Sequence, residues 1–388
     1  MSRTLTARSS QAFEKHFRTK TLKWTSSKQL QEFLHLTHRN GLGCLLQCLT
    51  IVGVAPVTNI QHASSKGKLL IDAFTNLRLN STSGGLQSLV LRVEGQDMIG
   101  NFVTCENIRD WKLAWQTAAL TFEITSRALA ASALPVEQLD IFHSVNRCIL
   151  PCDKVAPILD SIDLSKPLEK LKSLSLSLSL PVTEDGASGS ESLASAKRHA
   201  NAIGQFLKLC PQLEKLELHW YQIVPRIGVP SLNEARIEEQ RFFTHVVELG
   251  SFTQLRSCKL DGIKTDNTTL LAFVQKASEL SNLYMEEVHL LSGKFGPVFD
   301  FITSKLEHLE YLHLDDLYES RRVCFDGPGK PKMPSMDKSD GPDTLTRVGD
   351  ENRQRRRKIG YRETRGRPLG SSAANRWMNR HRLRYGPP

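Results

Sequence analysis

The stretch Leu213-Glu214-Lys215-Leu216-Glu217-Leu218 decides how the rest of this chain is read. In an extended segment Leu216 and Leu218 point to one face, Lys215 and Glu217 point to the other, and Leu213 anchors the turn before them. The LxxLxL phrase recurs at Leu46 to Ile51, Leu86 to Leu91, Leu171 to Leu176, Leu255 to Leu260, Leu280 to Met285 and Leu309 to Leu314, with Val136 to Ile141 as a weaker member. Successive phrases start 40, 50, 35, 42, 42, 25 and 29 residues apart. Repetition on that scale marks a solenoid, and intervals mostly above the regular leucine-rich range of 20–29 residues predict an irregular arc.

Between phrases the apolar period changes from two to 3.6, as a strand followed by a returning helix requires. Ser26 or Ser27 caps an expected helix running to Thr37, and Cys44 to Val54 reads as a strand covered on both sides. A long helix follows Ile108, Trp111, Trp115, Ala118, Phe122 and Leu129 until Pro135 ends it. Others are expected over Leu193 to Leu207, Phe242 to Leu249 closed by Gly250, Leu270 to Ala277 capped by Asp266, and Phe295 to Leu306 near Pro297. Alternation of this kind lays strands side by side and parallel. The expected fold is therefore α/β, an irregular leucine-rich-repeat solenoid with parallel strands on one face and helices on the other.

The chain has 388 residues, 40% hydrophobic and 24% charged, with a net charge of +10. The charge is localised: residues 321–388 carry 18 Lys and Arg against 7 Asp and Glu, which leaves residues 1–320 close to neutral. Three regions are expected: a remnant helix over 1–20, the solenoid over 21–320, and a Pro- and Arg-rich, mostly disordered tail over 321–388. Neither a membrane-spanning apolar run nor a signal-peptide pattern is present, so a cytoplasmic or nuclear protein is expected. The eight cysteines lack CxxC pairs, and several fill apolar slots, Cys258 most clearly. The spacing of His35, His38, Cys44 and Cys48 matches no common zinc arrangement, and no metal or cofactor is expected.

Phrases such as Leu139 to Phe142 (LDIF), Cys210 to Leu218 (CPQLEKLEL), Leu255 to Leu260 (LRSCKL) and Leu309 to Leu314 (LEYLHL), with the ending Arg384 to Pro388 (RYGPP), resemble fungal F-box proteins with leucine-rich repeats. That resemblance implies a substrate-recognition role in a cullin-type ubiquitin ligase, reached through a Skp-type adaptor that binds an amino-terminal F-box. The LPxE pattern of an F-box is not found here, and residues 1–20 look like the segment on the carboxyl side of one. A truncated receptor and a stand-alone repeat scaffold are both compatible with that.

Parallel strands in register would align the residues between the leucines into columns on the concave face. The columns run Lys215, Ser257, Asn282, Tyr311; Glu217, Lys259, Tyr284, His313; and His219, Asp261, Glu286, Asp315. Three consecutive acids in the last column suit a basic segment of a protein partner, with Tyr284 and Tyr311 as anchors. A solvated sheet face accounts for the same alternation without a partner. In the tail, Arg365-Gly366-Arg367-Pro368 has the core of a minor-groove AT-hook but lacks basic flanks, and Arg355, Arg356, Arg357 and Lys358 read as a nuclear-import patch. GxSxG, GxxxxGK[ST] and HExxH are all missing, so no enzyme is expected.

Overall fold

The computed structural model describes residues 17–38, 42–55, 63–81, 83–96, 102–105, 111–181, 192–221, 234–332, 341–349 and 358–364. The chain divides into two compact units, Met1–Leu176 with Leu209–Gln212, and Ser177–Lys208 with Leu213–Pro388. Each is a mixed α/β structure with mostly parallel central strands, and among the described residues no sheet closes into a barrel. Among the described residues no helix is long and apolar enough to cross a membrane.

The first unit runs β1 (Thr19–Lys23), α1 (Ser27–Thr37), β2 (Cys48–Ala55), α2 (Ala63–Asn80), β3 (Leu86–Gln96), β4 (Phe102–Thr104), α3 (Trp111–Ser132), β5 (Val136–Ile141), β6 (Leu150–Pro151), α4 (Val155–Ser161), α5 (Ser165–Leu168) and the start of β7 (Ser173–Ser179). Strands β1, β2, β3, β5 and β7 lie side by side in that order and parallel, while β4 folds back antiparallel on β3. Ser26 begins α1 as expected, its hydroxyl accepting from the Gln29 N–H at 3.3 Å. The apolar stripe of α3 is buried at Trp115, Ala118, Phe122 and Leu129. Burying each such large side chain contributes roughly 1.5–3 kcal/mol. Helix α3 lies so close to β2 that a Cβ on Gly53 would stand 2.2 Å from Thr121 Oγ1. That hydroxyl instead accepts the Trp24 indole N–H at 2.9 Å.

Two local expectations change in this unit. Strand β2 begins at Cys48 rather than Cys44, because Leu42–Leu45 form a 3-10 turn. Helix α2 is additional to the expected set, although Leu70, Ala73, Phe74 and Leu77 follow helical spacing and are buried. Of the expected remnant helix over 1–20, residues 1–16 lie outside the described residues, and Thr19 and Lys20 belong to β1.

The second unit contains α6 (Leu193–Lys208), β8 (Lys215–Tyr221), α7 (Glu234–Gln240), α8 (Phe242–Leu249), β9 (Ser257–Asp261), β10 (Lys264–Asp266), α9 (Asn267–Lys276), β11 (Asn282–Glu286), β12 (His289–Ser292), α10 (Gly296–Lys305), β13 (Tyr311–Asp315), β14 (Val323–Phe325), β15 (Thr344–Val348) and β16 (Tyr361–Glu363). Helices α6, α8, α9 and α10 fall where the apolar spacing places them. Gly250 closes α8, Asp266 caps α9 through the Thr269 N–H at 2.7 Å, and proline sits in the first turn of α10. The strands order as β8, β9, β11, β13 in parallel, and β15 adds antiparallel to β13.

Strands β9, β11 and β13 end alike. Each finishes on an acid, then a residue with positive φ (Gly262 at 71°, Glu287 at 52°, Asp316 at 51°), then a buried aliphatic residue, Ile263, Val288 or Leu317. The turned N–H of Gly262 donates to Glu286 O, that of Glu287 to Asp315 O, and that of Asp316 to Asp343 O, at 3.0, 3.0 and 3.2 Å. Each turn thus adds one more rung toward the following strand. A second short strand then pairs in parallel with its counterpart, β10 with β12. Gly262 is required at its turn, since a Cβ there would lie 2.2 Å from the Trp220 carbonyl oxygen.

Beyond residue 320 the described residues include three more strands. Strand β15 covers the edge of β13, β14 pairs with β16, and Asp343 supplies the carbonyl that a further strand end would have supplied. Val323, Cys324 and Phe325 of β14 and Ile359 before β16 are buried, in line with the reading that Arg321 to Phe325 closes the last repeat, whereas β15 is held mainly by backbone pairing and polar contacts and carries no apolar period. Covering an open strand edge is what a terminal cap does in a repeat stack.

Candidate functional site

Pairing between β8, β9, β11 and β13 aligns the expected columns residue by residue. Lys215 pairs with Ser257, Ser257 with Asn282, and Asn282 with Tyr311. Glu217, Lys259, Tyr284 and His313 form the second row, and His219, Asp261, Glu286 and Asp315 the third. The leucine positions between them are buried and these positions are mostly half-exposed, as strand alternation requires. Strand β15 extends each row by one residue that the sequence did not reveal: Val348 beside Tyr311, Thr346 beside His313 and Thr344 beside Asp315.

The centre of the face is aromatic. Tyr284 and Tyr311 stack with ring centroids 4.7 Å apart, and His313 lies 6.3 Å from Tyr284. His313 Nδ1 is 2.8 Å from Thr346 Oγ1, which fixes the ring against the added strand. Val348 beside Tyr311 is 54% exposed and widens this apolar shelf.

The acid row has two features that the sequence does not show. Asp261 and Asp315 are only 5% and 8% exposed, because both sit at strand ends where the chain turns over them. Basic side chains from within the chain also stand beside the row. Lys259 Nζ lies 3.2 Å from Glu286 and 3.7 Å from Asp261, and His313 Nε2 lies 3.8 Å from Glu286. At the opposite end, His219 Nδ1 is 3.4 Å from the Ser177 hydroxyl, and Lys215 pairs with Glu217 at 2.9 Å.

Asp315 receives several contacts from beyond β13. Lys332 Nζ lies 2.5 and 2.7 Å from its two oxygens, and Thr344 donates its hydroxyl at 2.7 Å. One turn deeper, carboxylate oxygens of Asp315, Asp316 and Asp343 gather within 4.8 Å of one another, a spacing a metal ion could use. Cations of the chain already serve it: Arg322 Nη1 stands 3.2 Å from Asp316 and 2.9 Å from Asp343. The other guanidinium nitrogens donate to the Tyr318 hydroxyl at 3.1 and 2.6 Å. Burial opposes the Arg322 charge, and the surrounding Tyr318, Asp316 and Asp343 more than compensate, holding its pKa above the ordinary arginine value.

A second cluster fastens β16 to the start of α10. Glu319 accepts from the Phe295 N–H at 2.8 Å and from the Tyr361 hydroxyl at 2.9 Å, while the Gly296 N–H donates to that hydroxyl at 2.9 Å. Burial and the Glu319 carboxylate push the Tyr361 phenol up to about 12. Lys294 and Ser320 hold Glu363 down at about 2.

Arg322, Lys332, Asp343 and Thr344 are the participants that sequence reasoning missed. The Asp315-Asp316 doublet was the available signal, but its partners lie 6 to 28 positions beyond Asp316, in a segment without periodicity. Lys358 is described and exposed; Arg355, Arg356, Arg357, Arg365 and Arg367 lie outside the described residues. Compared with known proteins, the chain matches no protein-family model and no curated sequence.

Proposed function

We propose that this chain is a non-catalytic protein-recognition module of the leucine-rich-repeat kind, whose polar-column face binds a basic segment of a partner protein. The observation that carries this reading is the register of β8, β9, β11 and β13. It gathers a stacked tyrosine pair and a row of acids on one face, although the residues come from phrases that start up to 96 positions apart. Rigid aromatic rings with carboxylates beside them suit a Lys- or Arg-bearing segment, because tyrosines supply contact area at low entropic cost and carboxylates set orientation. The repeated strand, positive-φ turn, short strand and helix of residues 257–305 support the leucine-rich-repeat assignment.

Resemblance to fungal F-box proteins makes a protein destined for ubiquitination the favoured partner, with a stand-alone scaffold as the alternative. Affinity capture of the wild-type chain beside Tyr284→Ala with Tyr311→Ala, and beside Glu286→Lys, tests the face. Loss of one specific partner with both variants supports the reading; an unchanged captured set overturns it. Co-purification of a Skp-type adaptor separates the ligase receptor from the scaffold.

A further inference from the structure

We propose that Lys332 is a built-in occupant of the acidic end of the recognition face, and that it must leave Asp315 before a lysine of the partner can bind there. This rests on the reading of the face as a site for basic segments, and adds how access to it is regulated.

The two cations at this end are held in different ways. Arg322 is 6% exposed, faces the 1%-exposed carboxylate of Asp343, and uses its remaining nitrogens on Tyr318. It is an interior part of the fold. Lys332 has a side chain 46% exposed and reaches in from the surface to an Asp315 side chain that is 11% exposed. Exposed ion pairs are weak and screened by salt, so a lysine on this surface exchanges where a buried guanidinium does not.

The seat for Lys332 recognises more than charge. Its ammonium meets both oxygens of Asp315, whose Oδ1 also accepts from Thr344, and its backbone N–H donates to both oxygens of Asp343 at 3.2 and 3.1 Å. Side chain and main chain of one lysine are read together, which is how an extended peptide from another protein would be read. The seat also adjoins the aromatic shelf: Asp315 pairs with Glu286, which lies two residues along β11 from Tyr284 and so on the same face. A partner anchored on Tyr284 and Tyr311 could therefore place a lysine at Asp315 only by displacing Lys332.

The test uses the full-length chain and a defined probe, a fluorescein-labelled peptide copying residues 326–338, titrated by fluorescence anisotropy at low salt. An occupant that fills the seat about four-fifths of the time, as an exposed ion pair allows, weakens apparent affinity about fivefold. Lys332→Ala and Lys332→Gln chains should therefore bind the peptide about fivefold more tightly than wild type. Binding should vanish when the peptide carries alanine in place of Lys332, and when Asp315→Asn is added to the Lys332→Ala chain. Hydrogen exchange over β13 and β15 must match wild type, which shows that the variants keep the fold. Equal affinity for wild type and both Lys332 variants, or no binding to any, overturns the proposal. If Glu286→Lys still abolishes partner capture in that case, the recognition face stands without this gate. If the peptide result holds and partner capture ignores Glu286→Lys, the seat is real and the face reading fails.

Discussion

Replacing Arg322 with alanine should loosen the end of the second unit far more than removing the exposed Lys332 beside it. The substitution leaves Asp316 and Asp343 facing each other with side chains 7% and 1% exposed and without the guanidinium that stood 3.2 and 2.9 Å from them. It also removes both guanidinium donors to the Tyr318 hydroxyl. Breaking a buried ion pair by deleting one partner costs about 3–5 kcal/mol, because a charge stays buried uncompensated. One tenfold change corresponds to about 1.4 kcal/mol, so amides of Tyr311–Asp315 and Thr344–Val348 that exchange through opening of this end should exchange roughly 150- to 5000-fold faster. Hydrogen exchange read by mass spectrometry over those two segments is the assay. Arg322→Ala combined with Asp343→Asn should recover part of the loss, since one of the stranded charges is then gone. Exchange within about threefold of wild type in Arg322→Ala would refute the reasoning and make the pair a surface contact in effect. Lys332→Ala supplies the contrast, since its exposed ion pair should cost no more than about 1 kcal/mol.

Three further outcomes are expected. Asp266→Ala removes the acceptor for the Thr269 N–H at 2.7 Å and the Thr269 hydroxyl at 3.0 Å, and should lower the stability of α9 by about 1 kcal/mol, read as increased exchange over Asn267–Lys276. Gly262→Ala should be more costly than an ordinary surface substitution, because its φ of 71° and the Trp220 oxygen 2.2 Å from the new Cβ both oppose it; an unchanged urea midpoint would count against the turn geometry. Attachment of β16 should depend on pH at both extremes. Glu363 is held below its ordinary 4.5 at about 2, so its contribution is complete above pH 4.5 and fades as pH falls toward 2. Tyr361 is raised from 10 to about 12, so its contribution is complete below pH 10 and fades as pH climbs toward 12. Spectrophotometric titration of wild type against Tyr361→Phe isolates the second limb, and a difference spectrum centred near pH 10 would contradict it.

Much of the alternation was legible because apolar spacing is a local property. Leu216 and Leu218, Cys258 and Leu260, Leu283 and Met285, and Leu312 and Leu314 each lie two residues apart, and each pair is buried as the period of two demands. Capping at Ser26, Asp266 and Gly250 was readable for the same reason, since a cap and the N–H or turn it serves lie within one helical turn. Given parallel order, equal positions within each phrase define the three columns of the candidate face.

What tertiary structure alone decided lies beyond residue 320. Nothing periodic marks Thr344–Val348 as a strand, because its pairing with β13 depends on where a 28-residue excursion returns the chain rather than on its own pattern. Acidity of the Asp261, Glu286 and Asp315 row was plain from sequence, but its partners were not. Lys332 lies 17 positions beyond Asp315 in a segment without periodicity, and a formal charge carries no address until the fold brings a counter-ion to hydrogen-bond distance. The sequence by itself therefore determined the alternation, the register of the columns and the face they share. Folding decided that one end of that face is closed by the chain's own lysine, since ion pairing acts through space between residues that local spacing cannot connect.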